Sequence, residues 1–174
     1  MERGAEKVFG IMLKEKFEQL EQLFTKELVA FYQDRLISVV LFGSVARQTQ
    51  RYDSDVDVLI IAKDLPEGRM KRVREFEKVE RRLEPFLKEL SKEGINTYIS
   101  PILKTPEEAL SGSPLFLDMV DDAKIVFDRD GFFRKILERL KVRLSELHAR
   151  RIWKGNAWYW DLKPDYKPGE IFEL

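Results

Sequence analysis

A chain of 174 residues, 44% hydrophobic and 36% charged, has apolar material for one ordinary core plus an appendage and a composition that excludes disorder. It contains no cysteine and one histidine, His148, which excludes disulfides, cysteine-based zinc sites, thiol catalysis and a serine–histidine triad, so any catalysis falls to carboxylates and metals. Its 31 basic and 31 acidic residues cancel, which argues against nucleic acid as the main partner.

No apolar run approaches the ~20 residues that span a bilayer, and the N-terminal MERGAEKVFG lacks the apolar stretch of a secretory signal. The expectation is a cytoplasmic protein with no membrane contact. Abundant Glu, Lys and Arg without Cys resembles the composition of heat-adapted proteins.

Over residues 6–32, Val8, Met12, Leu13, Phe17, Leu20, Leu23, Phe24, Leu28 and Phe31 recur at three- and four-residue steps, the stripe of an amphipathic helix facing a sheet. Residues 36–42 form a short apolar, β-branched run closed by Gly43-Ser44, which predicts a buried strand ending in a turn. A second such run covers 56–62, with carboxylates at its entrance, and DLPEG at 64–68 ends it. Residues 69–92 have helical spacing and carry Pro85, where a bend is expected.

Gly94 stops that helix, and 95–103, INTYISPIL, reads as a third strand whose Pro101 suits an edge position. Thr105, Pro106 and Glu108 have the order of an N-cap, a first helical position and a capping-box partner. That short helix breaks at Ser111-Gly-Ser-Pro; another covers 115–122, a last short strand 124–127 and a long helix 132–153. The tail after Gly155, with two Trp, two Tyr and two Pro, reads as an ordered loop whose aromatics pack on the body or a partner. The expected division is a core over 1–128 and a C-terminal helix with aromatic tail over 129–174.

The chemistry concentrates in LFGSVARQTQRYDSDVDVLIIA, where ten residues separate Gly43-Ser44 from Asp55-Val56-Asp57. On a strand, Asp55 and Asp57 project from one face. Two such close carboxylates repel unless a cation lies between them. Mg2+, or Mn2+, suits the pair, because hard ions take one or two carboxylates together with substrate phosphates. Gly43-Ser44 leads into a helix expected to begin near Val45, so its free N–H groups would face an incoming phosphate. Gly43 allows close approach, Ser44 adds a hydroxyl, and Arg47 on the first turn is a further phosphate candidate.

Gly43-Ser44, Ala46-Arg47 and Ser54-Asp55-Val56-Asp57 resemble the GSxARG and SDxD signature of minimal nucleotidyltransferases in the polymerase-beta superfamily. The resemblance covers roughly residues 36–62 and implies an α/β (α+β) fold with a small mixed sheet flanked by helices. It implies that the glycine–serine turn holds a nucleoside triphosphate. It further implies that Asp55 and Asp57 are catalytic metal ligands in transfer of a nucleoside monophosphate to a hydroxyl on a protein, small molecule or RNA. Family members with full activity place a third carboxylate on a neighbouring strand. Here that strand offers Asn96, Tyr98 and Ser100 on one face and Thr97 and Ile99 on the other, none acidic, leaving Glu107, Glu108 and Asp118 as substitutes from elsewhere. Gln48 stands where the family often has glycine.

The rival expectation is a catalytically weak nucleotide- or partner-binding protein, antitoxin-like, that keeps the fold and works with a protein partner or a second copy of the chain. The run RMKRVREFEKVERR is interrupted by Glu75, Glu77 and Glu80 and reads as a solvated face with a Glu77–Arg81 pair. His148 suits a helix C-terminus, and Asp118, Asp121 and Asp122 read as helix-end solvation or a second cation site.

Overall fold

The computed structural model describes residues 2–155 and 157–174, with side chains from Gly10 onward. Val8 of the first stripe and Asn156 of the tail lie outside the described residues and side chains. The order is α1 (Glu2–Tyr32), β1 (Leu36–Leu41), α2 (Gly43–Ala46), β2 (Val56–Ala62), α3 (Arg69–Lys92), β3 (Ile99–Lys104), α4 (Pro106–Leu110), α5 (Leu115–Asp122), β4 (Lys124–Asp128), α6 (Phe132–Glu146), β5 (Arg150–Lys154) and β6 (Ala157–Asp161).

Four strands form a mixed sheet in the order β3-β2-β1-β4. β1 runs antiparallel to β2 and β4, and β2 runs parallel to β3. Successive side chains of β2 enter different cores. Val56, Val58, Ile60 and Ala62 pack beneath Phe17, Phe24 and Leu28 of α1 and Phe76 and Val79 of α3. Leu59 and Ile61 pack against Phe116 and Met119 of α5 and Phe133 of α6. Covered on both faces, β1 and β2 must be apolar at nearly every position, which is why their sequences run without alternation. The expected small mixed sheet flanked by helices is what forms. Among the described residues no helix is long and apolar enough to cross a membrane.

The helices follow their stripes closely. Leu13, Phe17, Leu20, Phe24 and Leu28 are the buried line of α1, and Phe24 meets Phe76 of α3 edge-on at 6.2 Å. α3 continues through Pro85 and ends on Gly94 at φ 83°. There Gly94 N–H donates to the Ser91 carbonyl and Ile95 N–H to that of Leu90, 2.9 Å, the paired bonds of a Schellman motif. Ile95 is therefore the buried residue that seals a helix end, and β3 begins only at Ile99, four residues later than the apolar run suggests. Pro101 lies on the edge strand, as expected. The capping box forms at Thr105, whose hydroxyl accepts from Glu108 N–H while the Glu108 carboxylate accepts from Thr105 N–H, 3.0 Å. The Glu77–Arg81 pair does not form; Arg82 reaches back to Glu27 of α1 at 3.3 Å.

The C-terminal region departs most from expectation. α6 stops at Glu146 instead of reaching Trp153, and His148 takes the left-handed conformation, φ 54°, just beyond the helix end. Arg150–Lys154 then pairs with Ala157–Asp161 as an antiparallel hairpin. Gly155, left-handed at φ 64°, leaves the first of these strands in the turn conformation that glycine adopts without strain. The tail expected as a loop thus begins with a strand, Ala157–Asp161.

Asp128 at the end of β4 joins the sheet to α6. Its Oδ1 accepts from the hydroxyl of fully buried Ser38, 2.6 Å, and from Phe133 N–H, while Oδ2 accepts from Arg134 N–H. Replacing Asp128 with Ala uncaps α6 and strands a buried hydroxyl. The expected cost is about 2–3 kcal/mol in urea unfolding, with Ser38→Ala in the same background recovering part of it.

Candidate functional site

The antiparallel pairing of β1 with β2 brings the end of one strand to the start of the other, so the turn after β1 and the carboxylates before β2 are neighbours. Phe42 N–H donates to the Asp57 carbonyl at 3.1 Å, which pins the turn to β2. Gly43 follows at φ 70°, and a Cβ added there would collide with Oδ2 of Asp57. Only glycine fits: the backbone conformation disfavours a side chain, and the carboxylate occupies the space one would need.

α2 begins at Gly43, not near Val45, and is a single turn of four residues. So short a helix carries little macrodipole, and its contribution to anion binding reduces to its leading N–H groups, which have no partner within the turn. Ser44 sits on this turn half-buried and Arg47, exposed, caps it. The left-handed Gln48, φ 57°, ends the turn at the position where the resembling family often has glycine, and its N–H donates to the Val45 carbonyl.

On the other side, Ser54 closes a tight turn with Arg51, its hydroxyl accepting from Arg51 N–H at 2.9 Å. The turn delivers Asp55 to the mouth of β2. Asp55 and Asp57 share the sheet face of Leu59 and Ile61, beyond the end of the apolar core formed with α5 and α6. Partial burial, and then the charge of Asp55, push the Asp57 carboxyl above its ordinary value; Arg47 and a hydrogen bond from Ser100 act in the opposite direction. The sequence-predicted residues Gly43, Ser44, Arg47, Asp55 and Asp57 are therefore brought together.

Two residues on β3 and its approach complete the surroundings. Ser100 lies directly across from Asp57 in the parallel register. The carbonyl of Tyr98, 59% exposed, accepts from Val56 N–H at 2.9 Å, and its phenol is held above its ordinary value first by a hydrogen bond to Asp55 and then by that residue's charge. The sequence marked both only as positions lacking acid; their roles depend on a strand register that sequence spacing does not supply.

The three acidic substitutes are engaged elsewhere or stand apart. Glu108 makes a bidentate pair with Arg72, 2.6 and 2.8 Å, which holds its carboxyl down at about 2. Asp118 accepts from the indole N–H groups of Trp158 and Trp160. Glu107 is exposed on the first turn of α4. Among the described residues no three acidic, histidine or cysteine side chains converge as a metal cluster. Asp55 and Asp57 alone still fit a magnesium-type ion, whose remaining ligands come from phosphate and water. The neighbouring acids on α5 do not form a second cation site: Asp122 pairs with Arg151 at 2.8 Å and Asp121 faces Lys141 at 3.7 Å.

Residues 13–115 match the family model described as a nucleotidyltransferase domain. The chain is 40% identical over 155 residues to a Methanocaldococcus jannaschii protein named "Putative protein adenylyltransferase MJ1305", covering 88% of this chain and 95% of that one. A second protein of that organism, named "Putative protein adenylyltransferase MJ0141", is 46% identical over 43 residues, 25% of this chain and 43% of its own length. A crystal structure of a toxin-antitoxin with AMP-PNP aligns at a TM-score of 0.43 and 17% identity, over 78% of this chain and 92% of that chain.

The raised Asp57 carboxyl fixes the sign of a pH effect. Between the ordinary aspartate value and the higher folded value, the folded state binds more protons than the unfolded, so stability falls as pH rises through that window and stays lower above it. Asp57→Asn removes this penalty. In metal-free buffer at neutral pH its Tm should exceed that of the wild type by about 1–3 °C, and the difference should vanish in calorimetric scans below the ordinary aspartate range.

Proposed function

Because the chain belongs to the nucleotidyltransferase domain family, we propose that it is a metal-dependent protein adenylyltransferase that moves AMP from ATP to a hydroxyl side chain of a partner protein. The observation that carries this reading is the packing of the Gly43 turn against Asp57. It sets bare glycine backbone beside a carboxylate pair. The choice of ATP and of a protein acceptor is supported by the name of the M. jannaschii relative, most of whose length this chain spans.

In this reading the N–H groups of Gly43 and Ser44 and the Ser44 hydroxyl bind the β- and γ-phosphates, and Arg47 adds a charged donor to them. Asp55 and Asp57 hold a divalent cation, which when bound neutralises the polyphosphate and eases departure of its leaving group. The acceptor oxygen attacks the α-phosphorus, the bond to the bridging oxygen breaks, pyrophosphate leaves, and the acceptor proton passes to water or a neighbouring carboxylate. Positioning and charge stabilisation supply the catalysis, as in phosphoryl transfer generally.

One observation favours a second reading, a nucleotide-binding regulator with weak transfer. Ser100 occupies the strand position facing Asp57, and a serine neither ligates a hard cation strongly nor accepts an acceptor proton as a carboxylate does. Calorimetric titration of ATP, CTP, GTP and UTP with Mg2+ or Mn2+ tests the site. ATP should bind only with the metal and at least tenfold more weakly to Asp55→Ala/Asp57→Ala. A folded wild type that binds no triphosphate ends the adenylyltransferase reading. Metal-dependent binding without transfer of α-labelled AMP to protein from the source cell favours the regulator.

A further inference from the structure

The C-terminal hairpin is anchored beside the phosphate turn by an unusual set of contacts. Trp158 and Trp160, two apart on β6, share one face, and both indoles donate to the same Asp118 oxygen, at 2.8 and 3.3 Å. Trp153, paired with Trp158 across the hairpin, meets it at a tilt of 56° with centroids 5.0 Å apart. Arg151, ion-paired with Asp122 at 2.8 Å, lies 5.2 Å from the Trp158 centroid. The hairpin is thus fastened to α5 by hydrogen bonds, an ion pair and aromatic area.

The other arginine on Trp158 is Arg47, its guanidinium carbon 5.3 Å from the ring centroid. Among the described residues it forms no ion pair and its side chain makes no hydrogen bond. An aromatic face attracts a guanidinium without using its N–H donors. Arg47 is therefore held against an indole face while its five donors stay available.

We propose that Trp158 is a positioning residue of the nucleotide site: through its ring it keeps Arg47 aimed at the polyphosphate of ATP, which makes the hairpin within residues 129–174 part of that site. This rests on the reading that the turn from Gly43 to Arg47 binds the triphosphate. Without the ring, an exposed arginine loses rotamer freedom each time it engages a phosphate; with it, that ordering is complete before binding.

The test is a double-mutant cycle on ATP affinity in magnesium, measured by calorimetry on the full chain with Trp158→Leu, Arg47→Ala and the double variant. Leucine keeps apolar contact but offers no aromatic face, and Trp158→Phe, which restores one, guards against a folding defect. Each single substitution should weaken ATP binding about tenfold, the double variant should bind no more weakly than Arg47→Ala, and Trp158→Phe should lie within about threefold of wild type. Unchanged affinity in Trp158→Leu, losses that multiply in the double variant, or a phenylalanine variant as weak as leucine each overturn the proposal. A wild type that binds no ATP overturns the nucleotide reading itself, and is recognised by failing before any substitution is made.

Discussion

The approach of the Gly43 backbone to the Asp57 carboxylate is the constraint around which the rest of the molecule is arranged. A strand end and a strand start can meet this closely only if their strands are antiparallel neighbours, and if the residue at the meeting point has no side chain. The hydrogen bond from Phe42 to the Asp57 carbonyl makes the separation a property of the sheet, not of a loose loop. The two helical layers then have one task, which is to hold β1 and β2 in register. α1 and α3 cover one face with the Phe24 and Phe76 cluster, and α5 and α6 cover the other through Phe116 and Phe133. The second pair stops short of Asp55 and Asp57, which leaves the carboxylates at a rim where polar groups can reach them.

That rim carries a local electrostatic imbalance. Two carboxylates face one another with one arginine, one serine hydroxyl and one phenol as counterweights. None of these neutralises both acids, and burial, with the charge of Asp55 added, leaves the Asp57 carboxyl raised. A chain with equal numbers of acidic and basic residues overall still concentrates negative charge at this point. In the proposed reading, a cation held by the two carboxylates would relieve this repulsion.

The sheet and the site were legible because their signals are short in range. The β-branched runs at β1 and β2, the stripe of α1, the capping box at Thr105 and the spacing from Gly43 to Asp57 all operate within a few residues or along one element. Ile95 was misread because burial alone does not distinguish a strand from the seal of a helix end; the distinction lies in the left-handed Gly94 before it. Trp153 reads as helical from the sequence, because the left-handed Gly155, φ 64°, signals a hairpin only once strands are assigned on either side. The contacts of Trp158 with Arg47 and Asp118 span more than a hundred residues and forty residues respectively, and no local pattern encodes them. The facing of Ser100 and Asp57 is of the same kind, since a shift of one residue in β3 would turn the serine away.

Every tryptophan of the chain, Trp153, Trp158 and Trp160, lies in the hairpin. The tryptophan emission of the protein therefore originates in one corner of it, beside two arginines and a carboxylate. An optical melt followed at tryptophan wavelengths reads the release of that corner from α5, whereas circular dichroism reads the helices of the two layers. The two curves describe different events, and the interval between them is a direct gauge of how independently the hairpin lifts from the body.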